Sequence, residues 1–354
     1  MVNGPVSPAK PVRVLVVDDS SFMRGALVRM IAKDPRFVVI DTAVNGKEGV
    51  EKAMALRPDV MTMDVEMPIM NGLEALGEVM KTSKTPVIMI STLTEAGAET
   101  TIKALELGAV DFIPKAFGDR EKNIFRGAEE LYEKLLAAAG VDTAPLSTPM
   151  GARPMAAPAP LMQPGLRVNA RMVLIGSSTG GPKALQVLIE QLPVNLPVPV
   201  VIAQHMPPQF TLALARRLNE VCKIHVVELN DGDALVPGTV YISPGGKHSR
   251  VTLTNGKVDE DKGESLYKPS VDVLAESVVQ TFGKSVIAVM LTGMGNDGMR
   301  EFVKLKNLGA HVIAQDKESC VVYGMPKSVV EAGAASEVLP LDQIGKRVAS
   351  LLGV

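Results

Sequence analysis

Residues 174–183, LIGSSTGGPK, pass from two apolar positions into three glycines, two serines and a threonine within six residues. With KAL repeating an apolar spacing behind it, the stretch reads as strand, tight turn and helix, the building unit of an α/β fold. Its backbone N–H groups then point toward whatever binds at the helix start. A phosphate loop matches at Gly176 and Gly181 but requires Lys and then Ser or Thr directly after the second glycine. Pro182 intervenes and Ala184 follows Lys183, so that reading fails. The other reading is a perch for a nucleophile. Gly176 to Gly180 match G-x-S-x-G around Ser178, and a serine on so sharp a turn stands exposed beside N–H groups suited to an oxyanion.

A serine hydroxyl needs a base, and the chain offers four histidines. His225 lies in an alternating strand, His248 in a turn and His311 at the start of HVIAQD, and all three read as surface or edge residues. His205 differs, because it ends the strand VVIAQ just before MPP, where an α/β fold gathers functional groups. The third partner is a carboxylate at another strand end, and SVIAVMLTGMGNDGMREF supplies Asp297 in a glycine-rich turn. Ser178, His205 and Asp297 thus form a candidate triad, a constellation defined by geometry and not by chain order.

Working outward, residues beyond Arg171 alternate short β-branched runs with helical periods, and Asn255-Gly256 predicts a hairpin. The same alternation fills the first half, from VRVLVVDD through FVVIDTA, DVMTMDVEM, PVIMIST and AVDFIPK, closed by a helix from Arg120 to about Ala139. Between the halves, residues 144–164 hold six prolines and no hydrophobic period, which predicts an extended connector. The expected fold is therefore two doubly wound α/β domains with mainly parallel sheets, at 12–139 and 169–354, joined by a linker at 140–168. A chain of 354 residues with 46% hydrophobic content can build two cores. Its net charge of −2 gives no field for DNA or anionic lipid. Cys222 and Cys320 form no metal or disulfide pattern, and no apolar run approaches about 18 residues. A cytoplasmic protein without membrane insertion or nucleic-acid partner is expected.

The first half carries its own cluster. Asp18 and Asp19 end its first strand and Asp64 ends its third; a solvated helix cap would explain the first pair alone. Three converging carboxylates call for a hard cation such as Mg²⁺. Ser91 and Lys115, at two further strand ends, add a hydroxyl and an ammonium. With this ordered set, residues 12–139 resemble a response-regulator receiver domain of flavodoxin-like fold. The resemblance implies phosphorylation of Asp64 by a histidine kinase. It also implies Mg²⁺ on Asp18, Asp19, Asp64 and the Glu66 carbonyl, with Ser91 and Lys115 contacting the phosphoryl group. Ala116 stands where many receivers have proline, which excludes a cis Lys-Pro bond there.

The set MVLIGSSTGG, QHMPPQFT and LTGMGNDG resembles the Rossmann-like catalytic domain of the CheB family of chemotaxis protein-glutamate methylesterases. That resemblance implies attack by Ser178 on glutamate γ-methyl esters of chemoreceptors, His205 as base and then acid, and Asp297 orienting it. It further implies backbone oxyanion donors at Thr179 and Met294, release of methanol, and deamidation of certain receptor glutamines. A CheA-type kinase would be the phosphodonor, and hydrolysis itself needs no cofactor. Ser177, where many relatives carry alanine, is expected to be a silent difference. The fused arrangement suggests that the unphosphorylated receiver covers the crevice of Ser178, since a tether of about 25 residues gives a local concentration near millimolar.

Two rival readings compete. Gly293, Gly295 and Gly298 form G-x-G-x-x-G after a strand, with Asp316 at the end of the next, close to an NAD(P)-binding fingerprint of an oxidoreductase. That reading explains one loop, whereas the esterase reading explains three strand ends. A non-catalytic receiver-effector protein is the second rival, but the second half lacks a helix-turn-helix pattern and a basic stripe.

Overall fold

The computed structural model describes residues 10–115, 121–140, 166–259 and 267–354, with backbone alone for 121–127. The Pro-rich segment 144–164, Arg120 at the expected start of the closing helix, and Ala116 lie outside these residues. The chain folds as two compact units, Met1–Arg153 and Pro154–Val354.

The first unit runs β1 (Val12–Val17), α1 (Ser21–Ile31), β2 (Phe37–Ala43), α2 (Gly46–Leu56), β3 (Val60–Asp64), α3 (Gly72–Lys81), β4 (Val87–Ser91), α4 (Glu95–Leu107), β5 (Asp111–Pro114) and α5 (Glu121–Ala139). Its five strands form one sheet in the order β2-β1-β3-β4-β5, with every pairing parallel. Every residue of β3 and β4 is buried, because helices cover both faces, which is why these strands read as continuous apolar runs. Short polar residues set where helices begin: the Asn71 side chain accepts from Glu74 N while Glu74 reaches back to Asn71 N, a reciprocal cap on α3. The strand order reverses between β1 and β3, so Asp18 and Asp64 both emerge at the crevice that this reversal opens.

The second unit runs β6 (Met172–Ser177), α6 (Gly181–Ile189), β7 (Val200–Gln204), α7 (Phe210–Val221), β8 (His225–Glu228), β9 (Thr239–Ile242), β10 (His248–Val251) and β11 (Gly256–Asp259). It continues with α8 (Val271–Phe282), β12 (Val286–Met290), α9 (Met299–Leu308), β13 (His311–Gln315), α10 (Met325–Glu331), β14 (Glu337–Leu339) and α11 (Leu341–Leu352). Seven strands form a parallel sheet in the order β14-β13-β12-β6-β7-β9-β8. The expected hairpin is the antiparallel pair β10 and β11, a ribbon outside that sheet. Leu174, Ala203, Ala288, Met290 and Phe302 belong to one buried core, each large apolar side chain contributing about 1.5–3 kcal/mol. Both domains are α/β with parallel sheets, as the periodicity indicates. The strand order turns back at β6, flanked by β12 and β7, and this reversal opens the second crevice.

Candidate active site

In the first unit, the carboxylate oxygens of Asp18, Asp19 and Asp64 lie within 4.8 Å of one another. Lys115 Nζ pairs with Asp64 Oδ2 at 2.6 Å and stands 3.8 Å from Asp18 Oδ2. Burial, then the neighbouring charge of Asp64, pushes the Asp18 carboxyl above the ordinary range. Burial likewise raises Asp64 against the pull of Lys115. Asp18 Oδ2 is fully buried yet accepts no hydrogen bond. A cluster of hard oxygen donors, one of them buried and unpartnered, fits a divalent cation of the Mg²⁺ type. Glu66, which follows Asp64 by two positions, has an exposed side chain. Ser91 is placed at the neighbouring strand end, but its hydroxyl does not bond Asp64. It donates to Gly97 O at 3.2 Å and accepts from Thr101 Oγ1 at 2.7 Å, both on α4.

The second crevice is assembled by register. β6 and β7 pair with Ser177 opposite Gln204, and β6 and β12 with Gly176 opposite Met290. The ladder runs on past the strand ends: His205 N donates to Ser177 O at 3.1 Å, and Ser178 N to Thr292 O at 3.0 Å. The three loops carrying Ser178, His205 and Asp297 therefore leave the sheet side by side. Ser178 sits in a tight turn closed by Gly181 N on Ser178 O at 2.7 Å. The turn needs Gly180 in the left-handed region at φ 75°, and α6 then starts with no side-chain cap on its N–H groups. Gly293 is required for a different reason, since a Cβ there would lie 2.9 Å from Ser178 Cβ.

His205 Nε2 donates to Asp297 Oδ2 at 2.7 Å, with both side chains more than nine-tenths buried. Asp297 also accepts from Ser270 Oγ at 2.9 Å, Val271 N at 2.7 Å and Asp272 N at 3.0 Å, so it closes the first turn of α8. Burial alone would raise its carboxyl. The hydrogen bond and charge of His205, with the two backbone N–H groups, outweigh that and hold it below the ordinary value. An ionised Asp297 only accepts, so Nε2 carries a proton, and in the neutral imidazole it is Nδ1 that keeps the lone pair. Nδ1 is buried with no hydrogen-bond partner. No hydrogen bond joins Ser178 Oγ to His205 among the described residues. Such contacts are often loose before substrate binds.

Several residues of this network escaped the sequence reading. Gln204, 1% exposed, accepts from Ser177 Oγ at 2.6 Å and donates to Ser178 O at 3.0 Å and His205 O at 3.2 Å. Its signal was an amide ending an otherwise apolar strand. Ser177 is consequently not an idle hydroxyl, contrary to the expectation above. Thr292 clamps the nucleophile turn from the other side, its Oγ1 donating to Thr179 O at 3.0 Å. Tyr267 stacks on the His205 ring, with centroids 4.2 Å apart and planes 6° from parallel. His248 is corrected outright: it is fully buried in β10 and its Nδ1 accepts from Ser270 N at 3.3 Å. His225 is exposed at an edge strand, as read, and His311 is half-buried, bonded to Glu337 Oε1 at 2.9 Å.

The dinucleotide reading is overturned by the same loop. Gly293 N donates to Val322 O at 3.0 Å, and Gly293 O accepts from Gly324 N and Met325 N at 3.0 and 2.8 Å. The backbone that a pyrophosphate would approach is filled by the 322–325 segment. Asp316, the supposed ribose ligand, accepts from Ser319 N at 3.0 Å and from the Ser319 hydroxyl.

Two crevices, one acidic and one bearing a serine, a histidine and a carboxylate, define a class in which a receiver-type domain shares its chain with an α/β hydrolase-type domain. Family models agree with each half: a response regulator receiver domain matches residues 14–123 and a CheB methylesterase matches residues 173–348. The protein-glutamate methylesterase/protein-glutamine glutaminase of Thermotoga maritima is 46% identical, covering 96% of this chain and 98% of its relative. That of Vibrio parahaemolyticus is 44% identical, covering 97% and 99%. The crystal structure of the Thermotoga maritima CheB methylesterase catalytic domain is 43% identical, covers 51% of this chain and 98% of that one, and superposes with a TM-score of 0.50. The chain belongs to the CheB methylesterase family.

Proposed function

We propose that this protein hydrolyses glutamate γ-methyl esters of chemoreceptors in chemotaxis adaptation, deamidates receptor glutamines by the same acyl transfer, and is switched by phosphorylation of its receiver. The domain limits are 12–139 for the receiver, 140–168 for the linker and 169–354 for the hydrolase. Ser178 Oγ attacks the ester carbonyl while His205 Nδ1 takes its proton, forming a tetrahedral oxyanion. The N–H groups of Thr179 and Met294 stabilise that charge. The imidazolium then protonates the leaving methanol, or ammonia from a glutamine, and Nδ1 activates the water that frees the carboxylate. Asp297 keeps the proton on Nε2 and balances the imidazolium. The observation that carries this reading is the buried, unpartnered Nδ1 of a histidine whose other nitrogen is fixed by an ionised carboxylate, beside the turn of Ser178.

In the receiver, Asp64 is the phosphoacceptor for a CheA-type histidine kinase. Asp18, Asp19, Asp64 and the Glu66 carbonyl would hold Mg²⁺, which would supply positive charge to the phosphoryl oxygens. Lys115 already pairs with Asp64 and would pass to a phosphoryl oxygen. Ser91 would exchange Gly97 and Thr101 for the same group, which couples the site to α4. Nucleic acid and membrane insertion play no part in this reading, and its compartment is the cytoplasm. No helix among the described residues is long and apolar enough to cross a membrane. Methanol release from methyl-labelled chemoreceptor membranes, with and without a small phosphodonor, tests the proposal. Turnover that persists in Ser178→Ala contradicts it.

A further inference from the structure

We propose that Tyr267 is a positioning residue for the hydrolytic reaction, holding the His205 imidazole in line and favouring its protonated form. The proposal rests on the reading of His205 as the base. A single hydrogen bond from Nε2 to Asp297 fixes one corner of the ring but leaves it free to tilt about that bond, which would carry Nδ1 out of line with Ser178. The Tyr267 ring lies flat on one imidazole face at 4.2 Å, within 6° of parallel, and blocks that tilt. The contact also changes with the reaction. An aromatic face attracts a cation more strongly than a neutral ring, so the stack strengthens when Nδ1 takes the serine proton. An interaction stronger at the charged stage than in the ground state lowers the barrier instead of only tightening binding.

Tyr267 is also well placed by the chain. The segment Tyr267–Asp272 supplies the imidazole stack and, three to five residues on, the Ser270, Val271 and Asp272 donors to Asp297. One short stretch entering α8 therefore orients base and carboxylate together. Tyr267 is half-buried, so its ring can be shortened without opening the core. Among charged groups, Asp297 from the loop after β12 bonds the imidazole, Asp272 in the first turn of α8 donates its N–H to Asp297, and Arg300 of α9 stands 3.9 Å from Asp272.

The test uses the full chain and methyl-labelled chemoreceptor membranes, with kcat, KM and the pH profile measured for Tyr267→Leu, Tyr267→Ala, Tyr267→Phe and His205→Gln. Tyr267→Leu and Tyr267→Ala are expected to lower kcat about tenfold with KM within about twofold, and to move the acid limb of kcat/KM to lower pH, since the imidazolium loses its aromatic partner. Tyr267→Phe keeps the ring face and is expected to restore both. Wild-type kcat and acid limb in the Leu and Ala variants, with His205→Gln inactive, would overturn the proposal alone. A Phe variant as impaired as Leu, or lost rate that tracks a lowered unfolding midpoint, would also overturn it. Wild-type activity in His205→Gln would instead remove the underlying assignment of the base.

Discussion

Asp64 and Asp297 sit at equivalent places, each in the crevice where a parallel sheet reverses its strand order, yet their surroundings are opposite. Asp297 accepts from four donors, an imidazole, a hydroxyl and two helix N–H groups, and is held ionised below its ordinary range. Asp64, with Asp18 beside it, has a lysine and the backbone N–H groups of Val65 and Glu66, but burial outweighs them, and both carboxyls are pushed up. A saturated carboxylate orients a neighbour and has nothing left to bind. An undersatisfied one is poised for a cation and for electrophilic phosphorus. The fold offers the same address to both chemistries, and the balance of burial against donors decides between them.

The largest expected effect lies at the saturated site. Ser178→Ala is expected to cut methanol release by about 10⁶-fold, as nucleophile removal does in serine hydrolases, with an unchanged unfolding midpoint. Asp297→Asn comes next, near 10⁴-fold in kcat, because an amide can donate to Nε2 and leave the wrong tautomer. At the undersatisfied site, Asp64→Asn is expected to keep basal hydrolysis and abolish the response to phosphodonor, read in the same assay.

The two carboxylate environments also predict opposite dependence on pH and metal. A raised carboxyl pKa means the folded state disfavours the charge, so Asp18 and Asp64 favour folding below 3.8 and lose that contribution as pH rises through their folded values. Asp18→Asn is therefore expected to raise the receiver's unfolding midpoint in metal-free buffer at pH 7. Mg²⁺ at about 100 times its Kd is expected to add ~2.7 kcal/mol to the wild type and to lose most of that effect in Asp18→Asn. Asp297 behaves in reverse: its lowered pKa contributes stability above 3.8 that is lost as pH falls through the folded value. Scanning calorimetry from pH 7 to 3 distinguishes the two units. The smallest effect is Ser177→Ala, about 1 kcal/mol, from the buried bond to Gln204.

Much of this was legible in the sequence because strand ends carry their own signal. Apolar runs that stop at Asp18, Asp64, Ser178 and His205 place those residues at strand ends, and parallel pairing within each unit makes Asp64 a neighbour of Asp18, and His205 of Ser178. Partners supplied by remote segments left no such mark. Ser270 and Tyr267 precede a helix whose sequence says only that it begins there, and His248 looks like a turn residue until β10 folds over it. The glycine pattern at 293–298 misled for a related reason, since it specifies a tight turn but not which side of the turn another loop fills. The C-terminal β14 went unread because a strand of three residues shows no period.

The central claim is that His205 Nδ1 activates Ser178. A fluorophosphonate that labels activated serines, followed by peptide mass spectrometry on the full chain, tests it most directly. The account predicts one adduct, on Ser178, that forms in the wild type and not in His205→Gln. An adduct confined to another serine, or labelling of Ser178 at the wild-type rate in His205→Gln, would contradict it.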